Sequence, residues 1–281
     1  TLTGNSSANT LTGGDGNDTL TGGDGNDILN GDAGNDTFNE GSASNGGDIF
    51  NGGAGTGDTV NYGSRTVAVV VVIDTTATDG EALETDKVMT DVENVTGGSG
   101  NDTITGSTAN NTLIGGAGND TLNGSDGNDT LKGGDDDDVL NGGNGDDTFD
   151  EEAADSGADS MLGGAGIDFV DYHLRTAPVT IVMDATNATT GTTGGESGEG
   201  DRVGADVEML TGGTDDDDIT GNALDNVLEG GTGDDTLKGL GGADTIDGNG
   251  GADTIDCGAG DEDWNADSDS ADQTGGVGCE L

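Results

Sequence analysis

The chain has 281 residues, of which 58 are acidic against six Lys+Arg, giving a formal net charge of -52; 59 are Gly, one is Pro and 2 % are aromatic. This balance excludes nucleic acid as a partner, because no basic patch exists to meet phosphates, and it disfavours an anionic membrane. Like charges repel and little apolar surface is on offer, so the composition alone reads as disordered unless a counter-charge arrives, and a hard divalent cation with oxygen ligands is the obvious one.

The chain opens on Thr1, which reads as the start of a processed or excised product. Its first three residues, TLT, correspond to the end of a repeat without its turn, an open coil that invites another coil to stack on it. From Gly4 a nine-residue unit, G-G-x-G-x-D-x-U-x with U a large apolar residue, sets the rhythm; residues 13–38 read GGDGNDTLTGGDGNDILNGDAGNDTF. Units start at Gly4, Gly13, Gly22 and Gly31 and, after the three extra residues 40–42, at Ala43 and Gly52. A second block starts at Gly97, Gly106, Gly115, Gly124, Gly133 and Gly142 and, after the extra residues 151–153, at Ala154 and Gly163. A third runs from Gly212 through Gly221, Gly230, Gly239, Gly248 and Cys257, making 20 units.

The sixth place is Asp in 16 units: Asp18, Asp27, Asp36, Asp48, Asp58, Asp102, Asp120, Asp129, Asp138, Asp147, Asp159, Asp168, Asp217, Asp235, Asp244 and Asp253. Asn9, Asn111, Asn226 and Glu262 fill it elsewhere and still offer oxygen. The eighth place is apolar in all 20, from Leu11 to Trp264. Such a unit spells a strand of about three residues with its middle side chain inward, then a turn for which glycine supplies positive φ and close backbone approach. Two units make a coil of about 18 residues, so units two apart stack on one side. Asp18 then lies over Asp36, Asp27 over Asp48, Asp120 over Asp138 and Asp235 over Asp253. Stacked carboxylates repel, and Ca²⁺ between them reverses the sign.

Two inserts break the rhythm, residues 63–96 and 173–211, and they are copies of one another. GGAGTGDTVNYGSRTVAVVVVID (52–74) parallels GGAGIDFVDYHLRTAPVTIVMD (163–184), and TDKVMTDVENVTGG (85–98) parallels GDRVGADVEMLTGG (200–213). Each insert starts with a Tyr–x–x–Arg, Tyr62/Arg65 and Tyr172/Arg175. The β-branched run after it predicts a longer strand in a wider coil that continues the stack, with surface loops near 75–84 and 185–199. VAVVVVI at 67–73 is far too short to span a bilayer. Arg65 with Glu93, and Arg175 with Glu208, are the candidate ion pairs closing the wider coils. The expected organisation is therefore repeat blocks at 1–62, 97–172 and 212–265, inserts at 63–96 and 173–211, and a C-terminal cap at 266–281.

The nonapeptide resembles the RTX, or haemolysin-type, calcium-binding repeat, a signature that binds Ca²⁺. The resemblance covers about two thirds of the chain and implies an all-β fold, a right-handed parallel β-roll (β-solenoid) with two short sheets facing each other and Ca²⁺ stacked along each turn edge. It implies multiple Ca²⁺ ions, roughly ten or more, held by the sixth-place carboxylates and turn carbonyls, with a chain that is disordered until calcium arrives. The only two cysteines, Cys257 and Cys279, are most simply read as a disulfide closing the tail, which fits an oxidising compartment. Trp264, in the last inward place, is expected to plug the core.

No Ser-His-Asp set, Cys-His pair, phosphate loop or HExxH is present, and the one histidine, His173, reads as a surface residue, so no enzyme is expected. The reading that absorbs most of the chain is a secreted bacterial β-roll, extracellular or at the cell surface, acting structurally as a filament or layer subunit. Its expected partners are Ca²⁺ and further copies of itself end to end, with no nucleic acid and no membrane insertion. An adhesin or carbohydrate-binding module, and the calcium-binding tail of a larger exported enzyme or toxin, remain open alternatives. An ice-binding roll is disfavoured, because the third place of the turns carries Asp15, Asp24, Asp126 and Asp135 rather than a row of Thr.

Overall fold

The eighth place builds the core. Every such residue from Leu20 to Ile255 is fully buried as the second residue of a short strand, and Leu11 is half-buried. The structure, a computed structural model, describes residues 1–281 apart from 77, 83, 152–156, 186–194, 197–199, 259–263, 266–272 and 275–281. All its regular elements among the described residues are strands, and they fall into two compact units, Thr1–Asp135 and Asp136–Leu281.

In the first unit one parallel sheet stacks Leu2–Thr3, Thr19–Thr21, Thr37–Asn39, Thr59–Asn61, Asn94–Thr96, Thr112–Ala117 and Thr130–Asp135. The apolar residues form a continuous inner column, Leu2, Leu20, Phe38, Val60, Val95, Leu113 and Leu131. Thr10–Asp15, Ile28–Ala33, Ile49–Ala54 and Lys87–Val88 form a second parallel sheet. Phe38 and Phe50, one from each sheet, meet inside with ring centroids 5.7 Å apart. The chain thus winds as a parallel β-solenoid, each strand pairing with the strand two units on.

The first insert continues the stack. Val69–Val72 runs parallel to Thr103–Thr105, with Val71 beside Ile104. It is shorter than its β-branched run suggests, because the chain turns back and Gly80–Glu81 pairs antiparallel with it. The stretch expected as a surface loop, 75–84, is exposed at Thr75, Thr76, Thr78 and Ala82 among its described residues, but Asp79 and Glu84 turn inward, at 1 % and 7 % exposure.

In the second unit one sheet stacks Thr148–Asp150, Phe169–Asp171, Met209–Thr211, Val227–Thr232, Thr245–Gly250 and Trp264–Asn265. The other stacks Val139–Asn144, Ser160–Ala165, Arg202–Gly204, Val179–Ala185, Asp218–Thr220, Thr236–Lys238, Thr254–Asp256 and Gln273–Thr274. Gly195–Glu196 pairs antiparallel with Val179–Ala185, as in the first insert; most of the loop expected at 185–199 lies outside the described residues. At the far end Thr245 pairs Trp264 and Ile246 pairs Asn265. The side chain of Trp264, expected to plug the core, lies outside what the structure describes.

Glycine is required where coils meet. Gly118 holds φ 106, and a Cβ on it would stand 2.8 Å from the carbonyl oxygen of Gly100 in the coil before. An L side chain there meets both a backbone penalty and another backbone.

Candidate metal centre

Each turn delivers its sixth-place carboxylate between two coils. Of the 16 predicted ligands, 15 are buried, at 2 % exposure or less, and Asp18 is half-buried. Along the ladder one carboxylate oxygen accepts the backbone N–H of the sixth place one coil earlier. Asp18 donates to Asp36 Oδ1 at 2.7 Å, Asp36 to Asp58 at 2.7 Å and Asp27 to Asp48 at 2.8 Å. In the second unit Asp138 donates to Asp159, Asp147 to Asp168, Asp217 to Asp235 and Asp235 to Asp253. The expected stacks Asp18/Asp36, Asp27/Asp48 and Asp235/Asp253 are in place, tied by this bond.

The second oxygen points at the glycine that opens its own unit. A Cβ on Gly13 would come 2.9 Å from Asp18 Oδ2 and 2.8 Å from the carbonyl oxygen of Gly31, one coil on. The same convergence of carboxylate and carbonyl oxygen recurs at Gly31 with Asp36 and Gly52, and at Gly230 with Asp235 and Gly248. At Asp27, Asp36, Asp58, Asp168 and Asp235 this Oδ2 is buried and receives no hydrogen bond. Burial, aided by neighbouring carboxylates, pushes Asp58 up to about 6 and Asp168 and Asp235 up to about 7. Acceptor oxygens converging with no donor among them fit a hard cation.

Not every turn is built this way. Asp102 accepts from Val69 N–H at 2.8 Å and Gly98 N–H at 2.7 Å, and Asp217 from Val179 at 2.8 Å and Gly213 at 2.7 Å. Both oxygens of each are thus held by backbone donors. Two of the sixth-place asparagines likewise have both ends of the amide hydrogen-bonded. Asn111 Oδ1 accepts from Ser107 and Asn226 Oδ1 from Asn222, while their amide nitrogens donate to the carbonyls of Glu93 and Glu208 at 2.8 and 3.3 Å. In these turns, next to the inserts, each of these side-chain oxygens accepts a backbone hydrogen bond.

The inserts supply ladder carboxylates that lie outside the nonapeptide frame. Asp48 N–H donates to Asp86, Asp159 to Asp201, Asp58 to Glu93 and Asp168 to Glu208. The sequence carries a signal for them: D-K-V, D-R-V, E-N-V and E-M-L are the second half of the unit, a carboxylate two places before an inward apolar residue, without the glycines.

The pairing of the two arginines is corrected. Glu93 and Glu208 serve the ladder, so Arg65 bonds instead to Glu40 at 2.9 Å, Glu81 at 2.9 Å and Glu84 at 3.0 Å, and Arg175 to Glu151 at 3.0 Å. Glu40 and Glu151 open the two three-residue additions. Each guanidinium is buried and lies over the preceding tyrosine ring, 5.9 Å from Tyr62 and 5.8 Å from Tyr172. His173 is exposed and rests on Asp171 at 2.7 Å. Cys257 is fully buried; Cys279, its expected disulfide partner, lies outside the described residues.

A family model described as the RTX calcium-binding nonapeptide repeat (4 copies) matches residues 3–38, 96–131, 114–149, 153–171 and 229–261, together half of the chain. The chain belongs to the RTX calcium-binding repeat family. As an RTX chain it binds calcium, and its solenoid is the β-roll that such repeats form. Comparison with curated proteins finds no match.

The two kinds of turn separate in calcium counting. Asp235→Asn is expected to lose bound calcium, because its Oδ2 is the donor-free one. Asp102→Asn is expected to keep the wild-type count and to cost about 1–3 kcal/mol, as one backbone donor loses its acceptor. Native mass spectrometry with calorimetric titration reads both; equal calcium loss in the two variants contradicts the distinction.

Proposed function

We propose that this RTX chain is a secreted bacterial protein that folds on calcium outside the cell and acts structurally, without catalysis, at the cell surface or in the extracellular matrix. The observation that carries the reading is the place of the carboxylates. They lie between coils, inside the fold, so an ion bound there is part of the wall. Asp27, Asp36, Asp58, Asp168 and Asp235, with turn carbonyls of the neighbouring coil, are the proposed core of the ligand set, and Asp102 and Asp217 stand outside it. Binding free energy at such sites is folding free energy. Export to a calcium-rich medium, a habit of the family, suits sites of this number, and a Cys257–Cys279 bridge suits the same compartment.

End-to-end association is the second part of the proposal. A parallel coil edge presents a row of N–H and C=O groups that another coil can continue, and a head-to-tail contact of that kind need not close. The test is a Ca²⁺ titration of the chelated full chain followed by light scattering and far-UV circular dichroism. The expected result is a gain of β-signal with a climbing mass. Compaction at constant monomer mass overturns the assembly, and a spectrum indifferent to chelator overturns calcium-driven folding.

A further inference from the structure

Inside the first unit two carboxylates from outside the nonapeptide ladder meet two that belong to it. Glu40, Glu84 and Asp86 each bring an oxygen within 4.8 Å of the others. They are 3 %, 7 % and 0 % exposed, and Asp48, at 0 %, sets its carboxyl within hydrogen-bonding reach of that of Glu40.

The donors around them can be counted. Arg65 takes Glu40 Oε2 and both oxygens of Glu84. The N–H groups of Asn45 and Glu81 also reach Glu84. Asp86 accepts from the Tyr62 hydroxyl at 3.0 Å and the Asp48 N–H at 2.9 Å, and Asp48 Oδ1 accepts from Asp27. That leaves Glu40 Oε1 and Asp48 Oδ2, both buried and both without a donor. Four buried carboxylates thus face one guanidinium, an arrangement that is costly unless more positive charge enters. Elsewhere Oδ2 lies against the glycine opening its unit. The unit of Asp48 opens on Ala43, and the Glu40 carboxyl lies within hydrogen-bonding reach of the Asp48 carboxyl.

We propose that Glu40 and Asp48 hold a divalent cation through their donor-free oxygens, with Glu84 and Asp86, whose oxygens already accept hydrogen bonds, as outer members of a carboxylate site separate in design from the glycine turns. A buried set of oxygen donors selects a hard ion that sheds its water readily, Ca²⁺ rather than Mg²⁺. Arg65 sits behind the ligands, fixing Glu40 and Glu84 and balancing their charge. In sequence the second copy repeats the ligand types with Glu151, Asp159, Glu199 and Asp201.

Tyr62, bonded to Asp86 at the edge of the site, is a built-in reporter, since the chain has only two tyrosines and one tryptophan. Tb³⁺ is substituted for Ca²⁺ on the full chain and its emission is excited through tyrosine. Glu40→Gln keeps an oxygen for Arg65 and removes the charge. It is expected to bind one Ca²⁺ fewer by native mass spectrometry and to lose part of the tyrosine-sensitised emission, with β-signal and calcium-induced folding retained. An unchanged count and unchanged emission overturn the site and mean that Glu40 and Asp48 share a proton instead. Should Glu40→Gln not fold, Glu40→Asp keeps the charge but shortens its reach. It is then expected to weaken the tyrosine-sensitised class alone by about tenfold or more, and an unshifted titration overturns the proposal. Calcium-driven folding persists under either outcome, so failure here is distinct from failure of the structural function.

Discussion

Stripped of metal near pH 8 the chain is expected to lose its β-structure, and acidifying the same metal-free sample to about pH 5 is expected to bring part of it back. The reason is the sign of the shifts. Asp48 and Asp58 are pushed up to about 6, and Asp168 and Asp235 to about 7, from an ordinary 3.8, chiefly by burial. A carboxyl raised in the folded state favours folding while it is protonated. Its contribution is whole below the unfolded value near 4 and is lost as the pH climbs from about 4 to about 7. A tenfold change in proton affinity is worth about 1.4 kcal/mol, so a few such groups outweigh the stability of an ordinary domain. Calcium replaces the protons: binding near pH 6 releases them, and affinity weakens as the pH falls. Circular dichroism and small-angle scattering at the two pH values are the measurement. High salt at pH 8 is the control, since it screens the general repulsion of a -52 chain without filling the buried sites. Equal disorder at both pH values contradicts the argument.

Arg65→Met is expected to destabilise the first unit by about 3–5 kcal/mol even in saturating calcium. The guanidinium is 1 % exposed and bonds Glu40, Glu81 and Glu84. Methionine fills much of the volume and leaves three carboxylates short of one positive charge and several donors. Arg65→Lys restores little, because an ammonium cannot serve Glu40 and both oxygens of Glu84 from one planar group or lie flat over Tyr62. Adding Glu84→Gln to Arg65→Met should recover part of the loss. Urea unfolding in excess Ca²⁺ gives the values; a cost below about 1 kcal/mol, the level of a surface pair, contradicts the reading.

What is legible in the sequence is whatever repeats. The apolar eighth place and the acidic sixth place have fixed spacing, and period alone places Leu20 beside Phe38 and Asp18 beside Asp36. Contacts made once per copy are harder. Glu40 reads as slack between units, because spacing says which residues share a face but not where a three-residue addition folds. Nearness to the insert's end suggests Glu93 for Arg65, although E-N-V already spells half a repeat. Nor does composition distinguish Asp102 from Asp235: the same residue in the same place is held by two backbone donors in one turn and left with a bare oxygen in the other.

Among the described residues the bonds from a sixth-place N–H to the next carboxylate point the same way, from an earlier coil to a later one. The solenoid therefore has a grain. An arriving segment that lies earlier in sequence than the folded part finds its acceptor already standing, and its amide is satisfied on contact. One that lies later leaves the amide before it bare until it has locked its own carboxylate. Growth from the C-terminal side is thus the smoother direction. A lesion also shows upstream of itself: losing the carboxylate of Asp36 undoes the turn at Asp18, while Asp58 keeps its backbone donor.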